Sequence, residues 1–382
     1  MDVFSGRWAS PTGWSAPLPA WDGPATLVLV LGPSGLRHEP GHPALADLRA
    51  AYPTSSLAGC STSGEVSGSE LHDDTLTVAV LRFAATRVHV ETAPVTADDS
   101  RDVGLLLGKR LADHDADLAA VLVLSEGLQV NGSALADGLS AGLPVGTVVV
   151  GGLAGDGDRF ASTWVLVDGV PVGGHVVAVG LAGDAVEVGH GARGGWSVLG
   201  PERVVTRSRG TVVHELDHRP ALELYRTYLG DRASGLPATA LLFPLGVRPP
   251  GADHESVRTV LAVDADEQSI TFAGEVPEGS RAQLMRSSTD RLVGAAEEAA
   301  EIARLGAGDG DAFALVVSCV GRRLVLGQRC EEELEAVAEA LGDGGPPPVT
   351  VGFYSYGELT TATRGGATMQ NQTMTVSVIR ER

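Results

Sequence analysis

Two short stretches carry most of the chain's concentrated polar chemistry: Gly59-Cys60-Ser61-Thr62-Ser63-Gly64-Glu65 and Gly352-Phe353-Tyr354-Ser355-Tyr356-Gly357-Glu358. Each sets hydroxyl side chains beside glycines and ends in a carboxylate. Hydroxyls donate and accept, glycines expose backbone N–H groups, and a carboxylate accepts from an ammonium. One such stretch alone reads as a tight turn. Two in the same arrangement point to a shared pocket, with Cys60, Ser61, Thr62, Ser63, Glu65, Tyr354, Ser355, Tyr356 and Glu358 as its lining. A third Gly-rich stretch, Gly151-Gly152-Leu153-Ala154-Gly155-Asp156-Gly157, adds Asp156. Asn371 and Thr373 lie just before the last apolar run. Arg322 follows another such run, where a guanidinium can fork onto a carboxylate. Glu65 or Glu358 for an ammonium and Arg322 for a carboxylate would together suit a small zwitterion.

Covalent chemistry is the rival. Gly59-Cys60-Ser61 begins like a nucleophile elbow, but Gly64 falls one place late and no helix follows. No histidine neighbours Cys60 to lower its pKa. A hydrolase or acyl transferase using Ser61 or Cys60, with Glu65 as partner, therefore stands as the alternative to a binding protein. A third reading is an interaction scaffold whose acidic surface recruits a signalling partner.

The elements that must position these residues follow one recurring order: an apolar β-type run, an amphipathic helix, a Gly-rich loop, and another β-type run. The copies begin at Thr26, Ala119 and Phe313 and enclose the three loops, each expected between a helix and a strand. In the third copy Leu334, Val337, Ala338 and Leu341 share one helical face. Thr373-Met374-Thr375-Val376-Ser377-Val378 alternates, predicting a strand with one packed and one polar or solvated face. Asp168-Gly169 should turn a hairpin within 164–188. The fold class is α/β, with mixed β-sheets, flanking helices and a two-part chain. Residues 1–24, rich in Pro, Gly and Trp without periodicity, read as a loosely held arm. The parts are then 25–216 and 217–382.

Other motifs fail on their context. His214-Glu215-Leu216-Asp217-His218 matches a zinc-protease signature, which requires both imidazoles on one helix. Gly210-Thr211-Val212-Val213 precedes it and Pro220 follows, so the parse is strand, turn, then helix from Pro220. Gly104 to Arg110 resembles a phosphate-binding loop but is one residue short and lacks the magnesium-holding hydroxyl. Lys109 within it is the chain's only lysine, which argues against Schiff-base chemistry. The 151–157 loop leads to a strand, so no helix N-terminus is there for a pyrophosphate. No metal or cofactor is expected.

The chain has 382 residues, enough for two or three cores. With 28 basic and 48 acidic residues its formal charge is -20, which disfavours nucleic acid and anionic bilayers as partners. No stretch reads as a membrane span or signal peptide, and three widely spaced cysteines fit a reducing, cytoplasmic setting.

The loops, with Glu215-Leu216-Asp217, Pro220 to Tyr225, Ser318-Cys319-Val320-Gly321-Arg322 and Asn371-Gln372-Thr373, resemble the FIST family in its order from about residue 25 to 380. The resemblance implies an N-terminal and a C-terminal FIST part and a bacterial, cytoplasmic sensory protein. It also implies a small ligand, with amino acids among the candidates. With no output domain in view, the signal would pass to a separate protein. This chain departs from the family at His218, where glycine is usual, and at Gln370, where a histidine commonly stands. The second departure bears on ligand identity.

Overall fold

The computed structural model describes residues 1–236, 238–252, 255–305, 312–343, 347–361 and 365–382. Three mixed sheets form the core, each built on one parallel pair. The pairs are Thr26–Gly32 with Ser56–Ser61, Leu118–Ser125 with Val148–Leu153, and Ala312–Cys319 with Val349–Ser355. A parallel pair needs a crossover. The crossovers here carry the helices Pro43–Ala51, Gly132–Gly142 and Cys330–Gly342. Leu76–Arg82, His175–Ala182 and Met374–Glu381 flank the first strand of each pair in antiparallel register.

After each pair the chain leaves its own sheet and lends a hairpin to a neighbour. Glu65–Ser67 and Glu70–His72 extend the sheet of Val349–Ser355. Val165–Val167 and Val170–Val172 extend that of Ser56–Ser61. Gly357–Thr361 and Ala367–Gln370 extend that of Val148–Leu153. The exchange is cyclic, so no sheet is complete without strands from another. Apolar side chains of all three, among them Leu29, Leu122, Val177, Leu315 and Phe353, pack into one core. A separate eight-stranded antiparallel unit, from Ser197–Arg209 to Arg281–Arg286, buries its own cluster around Val205, Leu222, Tyr225, Ile270 and Phe272.

The hairpin at Asp168-Gly169 forms as expected, with Val167 opposite Val170 and both turn residues at positive φ. Val212–Leu216 is a strand, Asp217 and His218 turn at positive φ, and the helix runs over Ala221–Leu229. The two histidines of the protease-like motif thus sit on different elements. Gly104 and Gly108 lie in the helix Ser100–His114, pressed against Gly132–Gly142; a Cβ on Gly104 would stand 2.3 Å from the Leu135 carbonyl oxygen.

The opening residues are no loose arm. Asp2–Ala9 pairs along its length with Leu76–Arg82, and Gly13–Trp14 folds back on it. Phe4, Trp8, Trp14 and Trp21 pack against the layer of Leu45, Leu48 and Tyr52. Large aromatics without periodicity still bury enough surface to hold an edge strand. Nor is the polar face of Met374–Glu381 solvated: Thr375 and Ser377 are buried, because that strand lies inside the molecule.

Candidate functional site

The three crossings between sheets meet. Gly59, Gly151 and Gly352 occupy matching places, where a Cβ would lie 2.2, 2.0 and 2.0 Å from the carbonyl oxygens of Val30, Val123 and Val316. Only glycine lets the two backbones approach so closely. Four residues on, each crossing donates a backbone N–H to another: Ser63 to Tyr354 oxygen (2.7 Å), Gly155 to Ser61 oxygen (2.9 Å) and Tyr356 to Leu153 oxygen (3.2 Å). These bonds close a ring. The loops are therefore strand-to-strand crossings, not helix-to-strand turns: Gly59 to Ser61 ends one strand and Glu65 begins the next.

Their carboxylates are buried in parallel ways. Glu65 accepts from the Thr62 hydroxyl and from Thr75 Oγ1 at 3.4 Å. Glu358 accepts from Ser355 Oγ (2.8 Å), Thr373 Oγ1 (2.7 Å) and the Thr373 N–H (3.0 Å). Burial pushes both carboxyls up to about 7, against the opposing pull of those hydrogen bonds; Asp73 adds to the rise at Glu65, and Arg322 lowers Glu358. They lie on strands of different sheets. Glu65 opens onto a hollow of about 250 Å³. Glu358 is fully buried on another sheet, opposite Gly152, and is not among the residues that line that hollow. The hollow gives the expectation of one pocket between the two carboxylates no support, because the cyclic exchange sends their strands into different sheets.

Other expected site residues are consumed internally. The Arg322 guanidinium is fully buried and pairs with Glu333 at 2.7 Å. It also donates to the carbonyl oxygens of Gly194 (2.7 Å) and Leu292 (2.8 Å). Glu333 takes two further donors, Ser318 Oγ (3.0 Å) and the Tyr354 hydroxyl (2.6 Å). Arg322 and Tyr354 thus build a buried polar knot under a helix and have nothing to offer a ligand carboxylate. Asp156 accepts from the N–H groups of Phe160, Ala161 and Ser162 and from the Tyr356 hydroxyl, which shapes a loop. Ser61 Oγ accepts from the Trp164 N–H at 3.1 Å. Burial, then the Glu65 charge, raises the Cys60 thiol far above its usual range, so it stays protonated. Asn371 is fully buried with no partner for its amide oxygen or nitrogen among the described residues.

What remains open is the hollow at the first crossing. Thr62, Ser63, Gly64 and Glu65 form one side; Pro33, Asp73, Asp74, Gly157 and Arg159 complete it. Ser63 Oγ accepts from the Gly157 N–H at 3.0 Å, tying the first crossing to the second. Asp73 is held by Arg323 at 2.6 Å. Arg159 donates to Ser34 Oγ at 3.1 Å and has no carboxylate partner among the described residues. The hollow thus sets a buried carboxylate and an uncommitted guanidinium around a small polar volume. Sequence reasoning missed Arg159. The available signal was its place two residues beyond Gly157, a basic group in a Gly-rich loop of an acidic chain. No cluster of three His, Cys, Asp or Glu side chains is placed to hold a metal among the described residues, and none of their helices is long and apolar enough to cross a membrane.

The same loop has two sides. Gly157 and Arg159 line the polar hollow, whereas Asp158 and Phe160 line an apolar groove against the eight-stranded unit. The Phe160 ring stacks on Tyr356 with centroids 4.6 Å apart.

Comparison with known proteins places the whole. No curated protein matches the chain. Among solved structures it is similar to a chorismatase (12% identity, 99% of this chain and 98% of that one covered, TM-score 0.36). It is also similar to a cyanuric acid hydrolase (10% identity, 100% and 99% covered, TM-score 0.35). Likenesses of that size carry no argument about chemistry. The family match is of another kind: the FIST N domain matches residues 26–219 and the FIST C domain residues 221–361. The chain belongs to the FIST family, whose domains point to a sensory role in signal transduction.

Proposed function

We propose that the protein senses a small zwitterion of the amino-acid class, held in the hollow of about 250 Å³ at the first crossing. The observation that carries this reading is Glu65 and Arg159 lining the same enclosure, one able to accept from an ammonium and the other to fork onto a carboxylate. Glu65 replaces the pair of carboxylates expected earlier, and Arg159 takes the place of Arg322. Thr62, Ser63 and the backbone of Gly64 supply orienting polar groups. Asp73 and Asp74 make the enclosure net acidic, which favours a ligand carrying an amine over a plain anion. A ligand ammonium beside Glu65 would hold that carboxyl ionised, so affinity should fall as pH drops below about 7. The signal would pass through a separate partner protein.

A thermal-shift screen of the common amino acids tests this. A ligand at a hundredfold excess over its Kd should add about 2.7 kcal/mol of stability. Glu65→Gln and Arg159→Met should each remove that gain while still melting cooperatively. Stabilisation unchanged in both variants would sink the assignment, as would a panel in which no amino acid stabilises the wild type.

A further inference from the structure

Scattered exposed leucines are ordinary on a protein surface, but their convergence is not. Phe160, Leu242, Leu261 and Leu324 are 39%, 36%, 43% and 40% exposed, and all four line one groove of about 580 Å³. They come from four separate segments, two on the three-sheet core and two on the eight-stranded unit. The volume falls in the range of about 300–1,000 Å³ usual for small-molecule sites. Phe160 is also held at φ +50°, a backbone conformation rare for an aromatic residue. Asp156 fixes it there through the Phe160, Ala161 and Ser162 N–H groups. A strained, exposed ring kept in place by its surroundings is a feature of ligand clamps.

Leu242 also lines an adjoining hollow of about 390 Å³, together with Arg232 and Arg286. Neither arginine has a carboxylate partner among the described residues, although the chain carries 48 acidic against 28 basic side chains. Arg232 instead lies over the Phe243 ring, 5.7 Å from its centroid. The groove's one charged residue, Asp158, disfavours an anion at its own position. An apolar trough that runs into two uncommitted guanidiniums suits one kind of molecule.

We propose that this groove binds an amphipathic carboxylate, a free medium-chain fatty acid or a close analogue. Its chain would lie on Phe160, Leu242, Leu261 and Leu324, and its head between Arg232 and Arg286. Charge complementarity selects the acid over an amine of the same length, because the head lies in the basic hollow. The proposal stands apart from the polar hollow and does not depend on the zwitterion reading.

The test is calorimetric titration of the full chain with sodium decanoate below its micelle concentration, with decylamine as the charge-reversed control. The expected result is one decanoate site, with decylamine weaker by about tenfold or more. Leu261→Asp and the double variant Arg232→Glu/Arg286→Glu, all at exposed positions, should each weaken decanoate by a similar factor. Each should melt like the wild type. Equal binding of decylamine would overturn the proposal, as would decanoate binding that neither variant changes, or no binding at all. Self-association lost in Leu261→Asp but indifferent to decanoate would assign the groove to a second copy of the chain and refute it. So would binding to phosphatidylglycerol vesicles that free decanoate does not displace.

Discussion

Glu358 offers the sharpest test of how the crossings are built. Its carboxyl is fully buried and is pushed from its usual 4.5 up to about 7 by burial. Between those values the native state keeps a proton that the unfolded chain has released. Stability contributed by the neutral form is therefore fully present below about pH 4.5 and is lost as pH rises through about 7. A rise from 4.5 to about 7 corresponds to about 3 kcal/mol. Glu358→Gln keeps the size of the side chain and removes the titration. It also turns an amide N–H₂ toward Ser355 or Thr373, but that cost does not vary with pH. The quantity to read is the stability of the variant minus that of the wild type, from urea unfolding between pH 5 and 8. Starting at pH 5 avoids Glu381, whose carboxyl three backbone N–H groups and the Thr86 hydroxyl hold down at about 2. The difference should climb by about 2–3 kcal/mol across the range. A flat difference would refute the burial argument and with it the structural role assigned to Glu358.

Further expectations can be checked by stability and labelling. Glu333→Ala strands the Arg322 guanidinium in the interior and should cost about 3–5 kcal/mol in urea, while Arg322→Met/Glu333→Leu should recover much of that; a single-variant loss under about 1 kcal/mol would contradict the buried knot. Gly352→Ala would drive a methyl to 2.0 Å from the Val316 carbonyl oxygen and should cost at least about 1–3 kcal/mol, whereas Gly23→Ala, with nothing within 4 Å, serves as the neutral control. Similar melting temperatures for the two would show that the crossings tolerate more room than described. Cys60 is buried with its thiol protonated, so alkylation at neutral pH should proceed only as fast as the chain unfolds; rapid labelling of the folded protein would revive a nucleophilic role.

Much of the fold was legible in local signals. The apolar runs at 26–31 and 313–318, the Asp168-Gly169 turn and the Leu334, Val337, Leu341 stripe all sit where the periodicity places them. The opening strand was not, because its packing rests on Phe4, Trp8 and Trp14, whose irregular spacing has no period to detect. The fate of the strand residues Thr375 and Ser377 was hidden for a related reason. Alternation reports that two faces differ, not that the polar one meets water, and here Thr375 Oγ1 donates to the Val317 carbonyl oxygen. The site was half legible. Hydroxyls and carboxylates between glycines did mark the crossings, yet partner choice is a long-range matter. Arg322 finds Glu333 within its own unit, and Arg159 is carried to Glu65 only by the exchange of strands between sheets. Nothing near either arginine in the chain distinguishes the one paired with a buried carboxylate from the one that has no carboxylate partner among the described residues.

A zwitterion between Glu65 and Arg159 would be seen in a crystal structure of the protein soaked with whichever amino acid stabilises it. Density should fill the first-crossing hollow, with the ammonium within hydrogen-bond reach of Glu65 and the carboxylate against the Arg159 guanidinium. Density in the apolar groove, or in the hollow with the carboxylate turned toward Glu65, would contradict that placement.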